Sequence, residues 1–281
     1  MGHGIAQVAA AAGYVVIMRD VNPEALAHGG QSIERNLAKA IQLKKISAAE
    51  RDEVLQRISR VTRLEEISGA DLVIEAAPEN LELKQSLMRE VEALVSSDCI
   101  FATNTSSLSI GEVAAASSRP ANVVGMHFFN PVHIMRLVEI VVGKQTSSEA
   151  TATVRAVAIR MKKEPIVVRD VPGFASSRLG VTLGLEAMRM VEQGVASARD
   201  IDTAMELGYN HPMGPLRLTD LVGLDVRLHI AEYLHGKLGS EAFRPPEILL
   251  RMVSEGKLGK KSGEGFYKWN EQDTGQKAYT T

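Results

Sequence analysis

Short apolar segments alternate with helical segments along the first part of the chain. The apolar segments, such as 72–76, 100–103 and 123–126, have the length of buried strands, and amphipathic stretches such as 81–95 separate them. Repetition of strand, helix and strand predicts a doubly wound, parallel α/β sheet of the Rossmann type. We place this domain at residues 1–170.

The pattern changes to helices alone after Pro172-Gly173, a pair that breaks regular structure. We therefore predict an all-α C-terminal domain over residues 171–281. Its helices are expected at 174–192, 198–207, 216–238 and 247–255. The first of them is apolar nearly all round and carries Gly180 and Gly184 one turn apart, so it is either a subunit interface or the central helix of its domain.

Charge and composition exclude several classes of function. The 281 residues include 32 Lys and Arg against 34 Asp and Glu, a net charge of −2, which does not predict binding to nucleic acid or to an anionic membrane. The longest apolar stretch, 8–18, is too short to span a membrane, and no cationic leader precedes it, so we expect a soluble, cytoplasmic protein. The lone Cys99 argues against an internal disulfide and a cysteine-based metal site, and we expect no metal.

Two ionisable residues stand at unusual places in apolar segments. The apolar run 123–126 ends on His127, and Glu139 interrupts the run 137–142, where an unpartnered carboxylate would cost several kcal/mol. A histidine ring oriented by a carboxylate is a general acid/base with a fixed tautomer. The alternatives are a hydrogen-bonded core histidine and an edge-strand carboxylate that faces water.

The N-terminal segment resembles the end of a dinucleotide-binding motif. Gly2 fits the last glycine of Gly-x-Gly-x-x-Gly, and Asp20 closes the next strand, where an acidic residue binds the adenosine ribose and disfavours a 2′-phosphate. This favours NAD over NADP. The first strand and the first two glycines are missing from the pattern, so we expect the full reading frame to begin about 15 residues upstream. An ordinary helix start and a strand-end turn would also explain the two residues.

Longer motifs, in order, extend the pattern over essentially the whole chain. With these motifs the chain resembles the 3-hydroxyacyl-CoA dehydrogenase family, of the 3-hydroxybutyryl-CoA dehydrogenase type. The motifs are Glu-Ala-Ala-Pro-Glu-Asn at 75–80, Asn-Thr-Ser-Ser-Leu at 104–108, His-Phe-Phe-Asn-Pro-Val at 127–132, Pro-Gly-Phe at 172–174, Asp-Ile-Asp at 200–202, Pro-Met-Gly-Pro at 212–215 and Gly-Glu-Gly-Phe-Tyr at 263–267.

The resemblance implies a role for each matching residue. His127 would be the catalytic base, oriented by Glu139, in hydride transfer between NAD and C3 of an (S)-3-hydroxyacyl-CoA. Ser106 would contact the substrate oxygen and the nicotinamide region. Three further residues would belong to the cofactor site, namely Glu79, Lys84 and Asn130.

The resemblance also implies how the acyl-CoA substrate is held. The nucleotide part of CoA would contact the helical hairpin, where Asn36 and Lys44 are candidates, although a solvated helix face would explain them equally well. Ser177 stands where the family usually has an asparagine, so a substrate contact there would be mediated by water or lost. The family resemblance further implies a homodimer formed through the helical domain.

Two other functions remain open from the sequence. One is a dehydrogenase of the same architecture that acts on a free hydroxy acid, such as a gulonate-type substrate. The other is a non-catalytic oligomeric relative that has lost its cofactor site, against which the intact set of Ser106, His127, Asn130 and Glu139 argues.

Overall fold

The structure, a computed structural model, describes residues 1–269. The chain forms two compact units, Met1–Phe174 and a second unit that begins at Ala175. The end of the predicted helical domain, 270–281, lies outside the described residues. In the described part of the chain, no helix is long and apolar enough to cross a membrane.

The first unit alternates helices and strands. In chain order its elements are α1 (Gly2–Ala11), β1 (Val16–Arg19), α2 (Pro23–Gln42), α3 (Ala48–Gln56), β2 (Ile58–Val61), β3 (Leu72–Glu75), α4 (Leu81–Glu92), β4 (Ile100–Thr103), α5 (Ile110–Ala114), β5 (Val123–Phe128), β6 (Leu137–Val142), α6 (Ser148–Arg160) and β7 (Glu164–Arg169).

The predicted Rossmann-type α/β architecture is confirmed, but the strands form two sheets. One sheet contains the parallel pair β1-β2, and the other has the order β3-β4-β5-β6-β7. The expectation of an entirely parallel sheet is wrong, because β6 pairs antiparallel to β5. A parallel connection needs about a dozen residues or more. The segment 129–136 between these strands is shorter, so the chain turns back directly.

The sequence of residues 48–58 predicts a helix that returns antiparallel to α2, and it gives no indication of strand β2. Helix α3 ends at Gln56, and the next residues pair parallel to β1, with Ile58 opposite Val16. Only two of the four residues of β2 are apolar, so the local pattern alone does not indicate a strand. Pairing with β1 supplies the backbone hydrogen bonds that favour the extended conformation.

Helix α1 is buried on two faces. Ile5 and Ala9 belong to the core that packs against the five-stranded sheet, whereas Ala6 and Ala10 pack in the core around α2 and β1. A Cβ atom on Gly4 would lie 3.0 Å from Val132, so this glycine allows α1 to approach the segment after β5. A Cβ atom on Gly2, which matches the last glycine of the dinucleotide-binding motif, would make its nearest contact at an ordinary 3.9 Å, from Ala76.

The second unit is helical as far as it is described. Its helices are α7 (Ser176–Glu192), α8 (Ala198–Gly208), α9 (Pro215–Val222), α10 (Leu224–Leu238) and α11 (Glu247–Ser254). The predicted helix 216–238 is two helices, because Gly223 has a φ of +102°, which ends α9 and is rarely accessible to other residues. Residues Val181, Leu185 and Met188 of α7 lie in the core of this unit.

Candidate active site

Three neighbouring parallel strands place polar side chains at one edge of the five-stranded sheet. Glu75 ends β3, Thr103 ends β4, and His127 lies next to the end of β5. The loops that follow these strands carry Glu79, Ser106 and Asn130 in the same order. The carboxyl ends of strands are where open α/β sheets bind ligands.

His127 and Glu139 face each other across β5 and β6. They are directly opposite in the antiparallel register, and His127 Nδ1 lies 2.8 Å from Glu139 Oε2. Glu139 is fully buried, and the His127 side chain is 10% exposed. Because a carboxylate only accepts hydrogen bonds, the ring proton lies on Nδ1, which leaves a lone pair on Nε2. The pair therefore has the geometry of an oriented general base.

The aromatic rings of Phe129 and Phe174 border the imidazole. Their centroids lie 4.5 and 5.9 Å from that of His127. The backbone N–H of Phe128 donates to Asn104 Oδ1 at 2.8 Å, which ties the end of β5 to the loop after β4. These contacts restrict the rotation of the His127 ring and the position of its strand.

Glu79 holds the loop that carries Ser106. Its Oε1 accepts hydrogen bonds from the Thr105 hydroxyl at 2.6 Å, from the Ser106 N–H at 2.9 Å and from the Ser107 N–H at 2.9 Å. The hydroxyls of Ser106 and Ser107 donate to the same oxygen. Burial acts to raise the pKa of Glu79, but these donors and the Lys84 charge outweigh it and hold the pKa below its usual value. Glu79 is thus a carboxylate at neutral pH.

Lys84, on α4, is 1% exposed and lies against two carboxylates. Its Nζ donates to both oxygens of Glu75, at 2.8 and 3.0 Å, and to the Ala77 carbonyl at 3.2 Å. Glu79 Oε2 lies 3.6 Å from the same nitrogen. An ammonium group has three N–H donors, and these contacts occupy them.

Asn130 and Asn36 line one cavity of about 190 Å³ in the first unit. His3, Arg35 and His133 also line it, so its wall is polar and partly cationic. Asn36 Nδ2 donates to Gln7 at 3.0 Å. Burial lowers the pKa of His3, and so do the neighbouring positive groups, among them His28, His133 and Arg35.

The remaining candidates are not brought together by contacts in the described residues. Asp20 follows β1, and its Oδ1 accepts the Asn22 N–H at 2.9 Å. Gly2 is the first residue of α1, and Lys44 is exposed in the turn after α2. Lys44 is not among the residues that line the cavity. Ser177 is half-buried near the start of α7, in the second unit.

Comparison with known proteins gives the same family for both units. The family model described as 3-hydroxyacyl-CoA dehydrogenase, NAD binding domain, matches residues 1–171, and the model of its C-terminal domain matches residues 173–269. This chain belongs to the 3-hydroxyacyl-CoA dehydrogenase family. It is an NAD-dependent oxidoreductase of 3-hydroxyacyl-CoA.

Individual relatives cover nearly the whole dehydrogenase. A probable 3-hydroxybutyryl-CoA dehydrogenase of Bacillus subtilis (strain 168) is 46% identical over 97% of this chain and 95% of its own. The human mitochondrial hydroxyacyl-coenzyme A dehydrogenase is 40% identical over 96% of this chain and 88% of its own. The crystal structure of (S)-3-hydroxybutyryl-CoA dehydrogenase from Ralstonia eutropha has a TM-score of 0.94 and 39% identity, covering 96% of each chain.

The polar groups at the start of α1 and at the end of β1 have the chemistry needed to bind a dinucleotide. Asp20 uses one carboxylate oxygen for the Asn22 N–H, so the second can accept from ribose hydroxyls. The N-cap of α1, Met1, makes no side-chain capping bond, so the first-turn N–H groups of Gly2 and His3 are available to a phosphate group, whereas the Gly4 N–H donates to the Met1 carbonyl at 2.9 Å. These groups would hold the adenosine ribose and the pyrophosphate of NAD.

Several residues of this site were not singled out from the sequence. Glu75 ends the apolar strand 72–75, and a carboxylate in such a run is the same signal that identified Glu139. Thr103, which pairs with Glu75 in the β3-β4 register, and Asn104 give no comparable signal, because short polar residues are common where strands end.

Proposed function

We propose that this dehydrogenase oxidises (S)-3-hydroxybutyryl-CoA with His127 as general base and Glu139 as its partner. The observation that carries the proposal is the buried Nδ1 to Oε2 contact of 2.8 Å between cross-strand neighbours. The short acyl chain is suggested by the relatives from Bacillus subtilis and Ralstonia eutropha, which are named for the hydroxybutyryl substrate.

Residues of this chain accept the proton from the substrate and return it in the reverse reaction. His127 Nε2 takes the proton of the substrate's 3-hydroxyl group, and the C–O bond becomes a carbonyl as the hydrogen on C3 leaves with its electron pair. NAD, when bound, supplies the acceptor for that hydride. Glu139 stabilises the imidazolium that forms, and in the reverse direction the imidazolium returns the proton to the oxygen.

Ser106 is proposed to contact the same substrate oxygen. Its hydroxyl donates to Glu79 in the structure, and the single proton of the substrate's 3-hydroxyl group goes to His127, so Ser106 can act on the substrate oxygen only as a donor. Rotation about the Cβ–Oγ bond would let it donate to the oxygen when negative charge develops there. Asn130, beyond the end of β5, is proposed to line the nicotinamide side of the cleft.

The CoA moiety is proposed to lie along α2. Asn36 and Arg35 border the polar cavity, and a guanidinium group suits the phosphates of CoA. Lys44 stays a candidate at the end of the same helix, and the substrate contact of Ser177 stays a prediction. A free hydroxy acid has no phosphate to use this surface, which favours the CoA thioester over the free acid as substrate.

A steady-state assay tests the proposal. The protein should reduce NAD with (S)-3-hydroxybutyryl-CoA and show far lower kcat/KM with free 3-hydroxybutyrate. Replacing His127→Gln should lower kcat by about 10² to 10⁴-fold, the usual worth of a general acid/base, with KM changed much less. Near-normal turnover by this variant would remove His127 from the mechanism, and equal activity on the free acid would select the hydroxy acid dehydrogenase.

A homodimer formed through the helical unit is also proposed. Leu179 is 72% exposed on α7, and Leu218, Val222 and Val226 on α9 and α10 are each 41% exposed. Exposed apolar side chains on helices that pack together support a protein interface. Sedimentation of the wild type and of Leu179→Lys would test it, and cell fractionation would test the predicted cytoplasmic location.

A further inference from the structure

The buried charges beside Ser106 do not balance within the group. Glu75 and Glu79 both contact the single ammonium group of Lys84, at 2.8 and 3.6 Å. Glu75 is the nearer partner and presents both of its oxygens. Lys84 therefore forms its close ion pair with Glu75, and its contact with Glu79 is longer.

The Glu75 carboxylate is buried and held by several hydrogen bonds. It is 6% exposed, and besides Lys84 it accepts hydrogen bonds from the Thr103 hydroxyl at 2.7 Å and from the Ala77 N–H. Thr103 lies opposite it in the register of β3 and β4. The sheet itself thus sets the place of the Glu75 carboxylate, and Glu75 sets the place of Lys84.

The same chain of contacts reaches the proposed substrate serine. Because Glu75 holds Lys84, Glu79 leaves its Oε1 entirely to the hydroxyls and N–H groups of residues 105–107. If Glu75 lost its charge, Glu79 would be the one carboxylate left in contact with Lys84 among the described residues. A charge-assisted bond is normally about 2.8 Å long, so the 3.6 Å contact would shorten and draw Glu79 away from the loop.

We propose that Glu75 is a positioning residue of the dehydrogenase, which acts through Lys84 and Glu79 to fix the hydroxyl of Ser106. This inference rests on the proposed role of Ser106 at the substrate oxygen. It also gives Lys84 a different task from the cofactor contact expected from the family resemblance, since its three donors are engaged by Glu75 and Ala77.

A double-mutant cycle between Glu75→Gln and Ser106→Ala tests the proposal. Glutamine keeps the shape of Glu75 and removes its charge. In the wild-type background it should lower kcat by about 10 to 100-fold, because a misplacement of about 1 Å can cost that much, while KM for NAD changes less than about threefold. In the Ser106→Ala background the same substitution should lower kcat by less than about threefold, since no hydroxyl remains to be positioned.

Glu92→Gln provides the matched control. Glu92 also joins a cation, Arg119, to a serine loop, through bonds to Ser117 and Ser118. This group lies beside the start of β5, away from the strand end that carries His127. The control should lower the melting temperature and leave kcat within about twofold in both backgrounds.

Other outcomes of the cycle overturn the inference. An equal loss of kcat from Glu75→Gln in both backgrounds would mean that Glu75 acts independently of Ser106. A rise in KM for NAD at unchanged kcat would assign Glu75 and Lys84 to the cofactor. If Ser106→Ala alone leaves turnover unchanged, the proposed role of Ser106 fails as well. Should Glu75→Gln not fold, Glu75→Gln with Lys84→Met removes both charges. No ammonium group is then left to draw Glu79 from the loop, so this variant should keep kcat within about threefold of the wild type, and a loss of about 10-fold or more would overturn the inference.

Discussion

Replacing Glu139→Gln isolates the contribution of its charge to turnover. The carboxylate oxygen lies 2.8 Å from His127 Nδ1. At an effective dielectric constant of about 20, full charges at this separation attract by about 6 kcal/mol. Proton transfer is partial in the transition state, so about half of this, about 3 kcal/mol, acts there. Glutamine retains a hydrogen bond worth about 1 kcal/mol, which leaves a loss of about 2 kcal/mol.

A loss of this size corresponds to a kcat about 30-fold lower. The assay is NADH formation from (S)-3-hydroxybutyryl-CoA at saturating NAD, with KM for both substrates measured alongside. Glu164→Gln is the matched control, because Glu164 starts the neighbouring strand β7 and pairs with Arg136 in solvent, its side chain 66% exposed. Exposed pairs contribute little, so this variant should keep kcat within about twofold.

The reasoning would be refuted by a folded Glu139→Gln enzyme whose kcat lies within about threefold of the wild type. It would equally be refuted if Glu164→Gln lost as much activity, because the effect would then follow from any carboxylate of this sheet. A drop confined to kcat/KM, with kcat preserved, would place Glu139 in substrate binding instead of proton transfer.

Two further predictions concern stability. Burial acts to raise the pKa of Glu92, but hydrogen bonds from Ser118, Ser117 and Arg119 lower it to about 2 from the usual 4.5. The ionised Glu92 therefore contributes fully to the free energy of unfolding above pH 4.5, and this contribution is lost as the pH falls towards 2. After solvent screening this is about 1–2 kcal/mol, and Glu92→Gln should lower the melting temperature at pH 7 but not at pH 2. Arg227 is 6% exposed, and its Nε has no hydrogen-bond partner among the described residues. Arg227→Met should therefore raise the free energy of unfolding by about 1–3 kcal/mol in urea titrations. The control Arg155→Met, at an exposed position, should not raise it.

The sequence predicted those parts of the fold that depend on local pattern. Apolar runs of strand length gave β3, β4 and β5, and the change to helices after Pro172-Gly173 gave the helical unit. Strand β2 and the reversal at β6 were not predicted, since both depend on which strands lie side by side. The break between α9 and α10 depends on the positive φ of Gly223. An isolated glycine in a helical pattern does not by itself predict such a break.

At the site, the sequence predicted the pairing of His127 with Glu139, because a buried carboxylate needs a partner. Glu139 lies in an apolar run, so its charge required a neighbour, and His127 is that neighbour in the register. The same argument applies to Glu75 at the end of β3, but its partner Lys84 lies on a helix, at a distance that strand pattern does not encode. A carboxylate that ends or interrupts a buried strand therefore predicts that a partner exists. Which residue supplies it depends on whether the next element is a strand in register or a helix that packs across the strand ends.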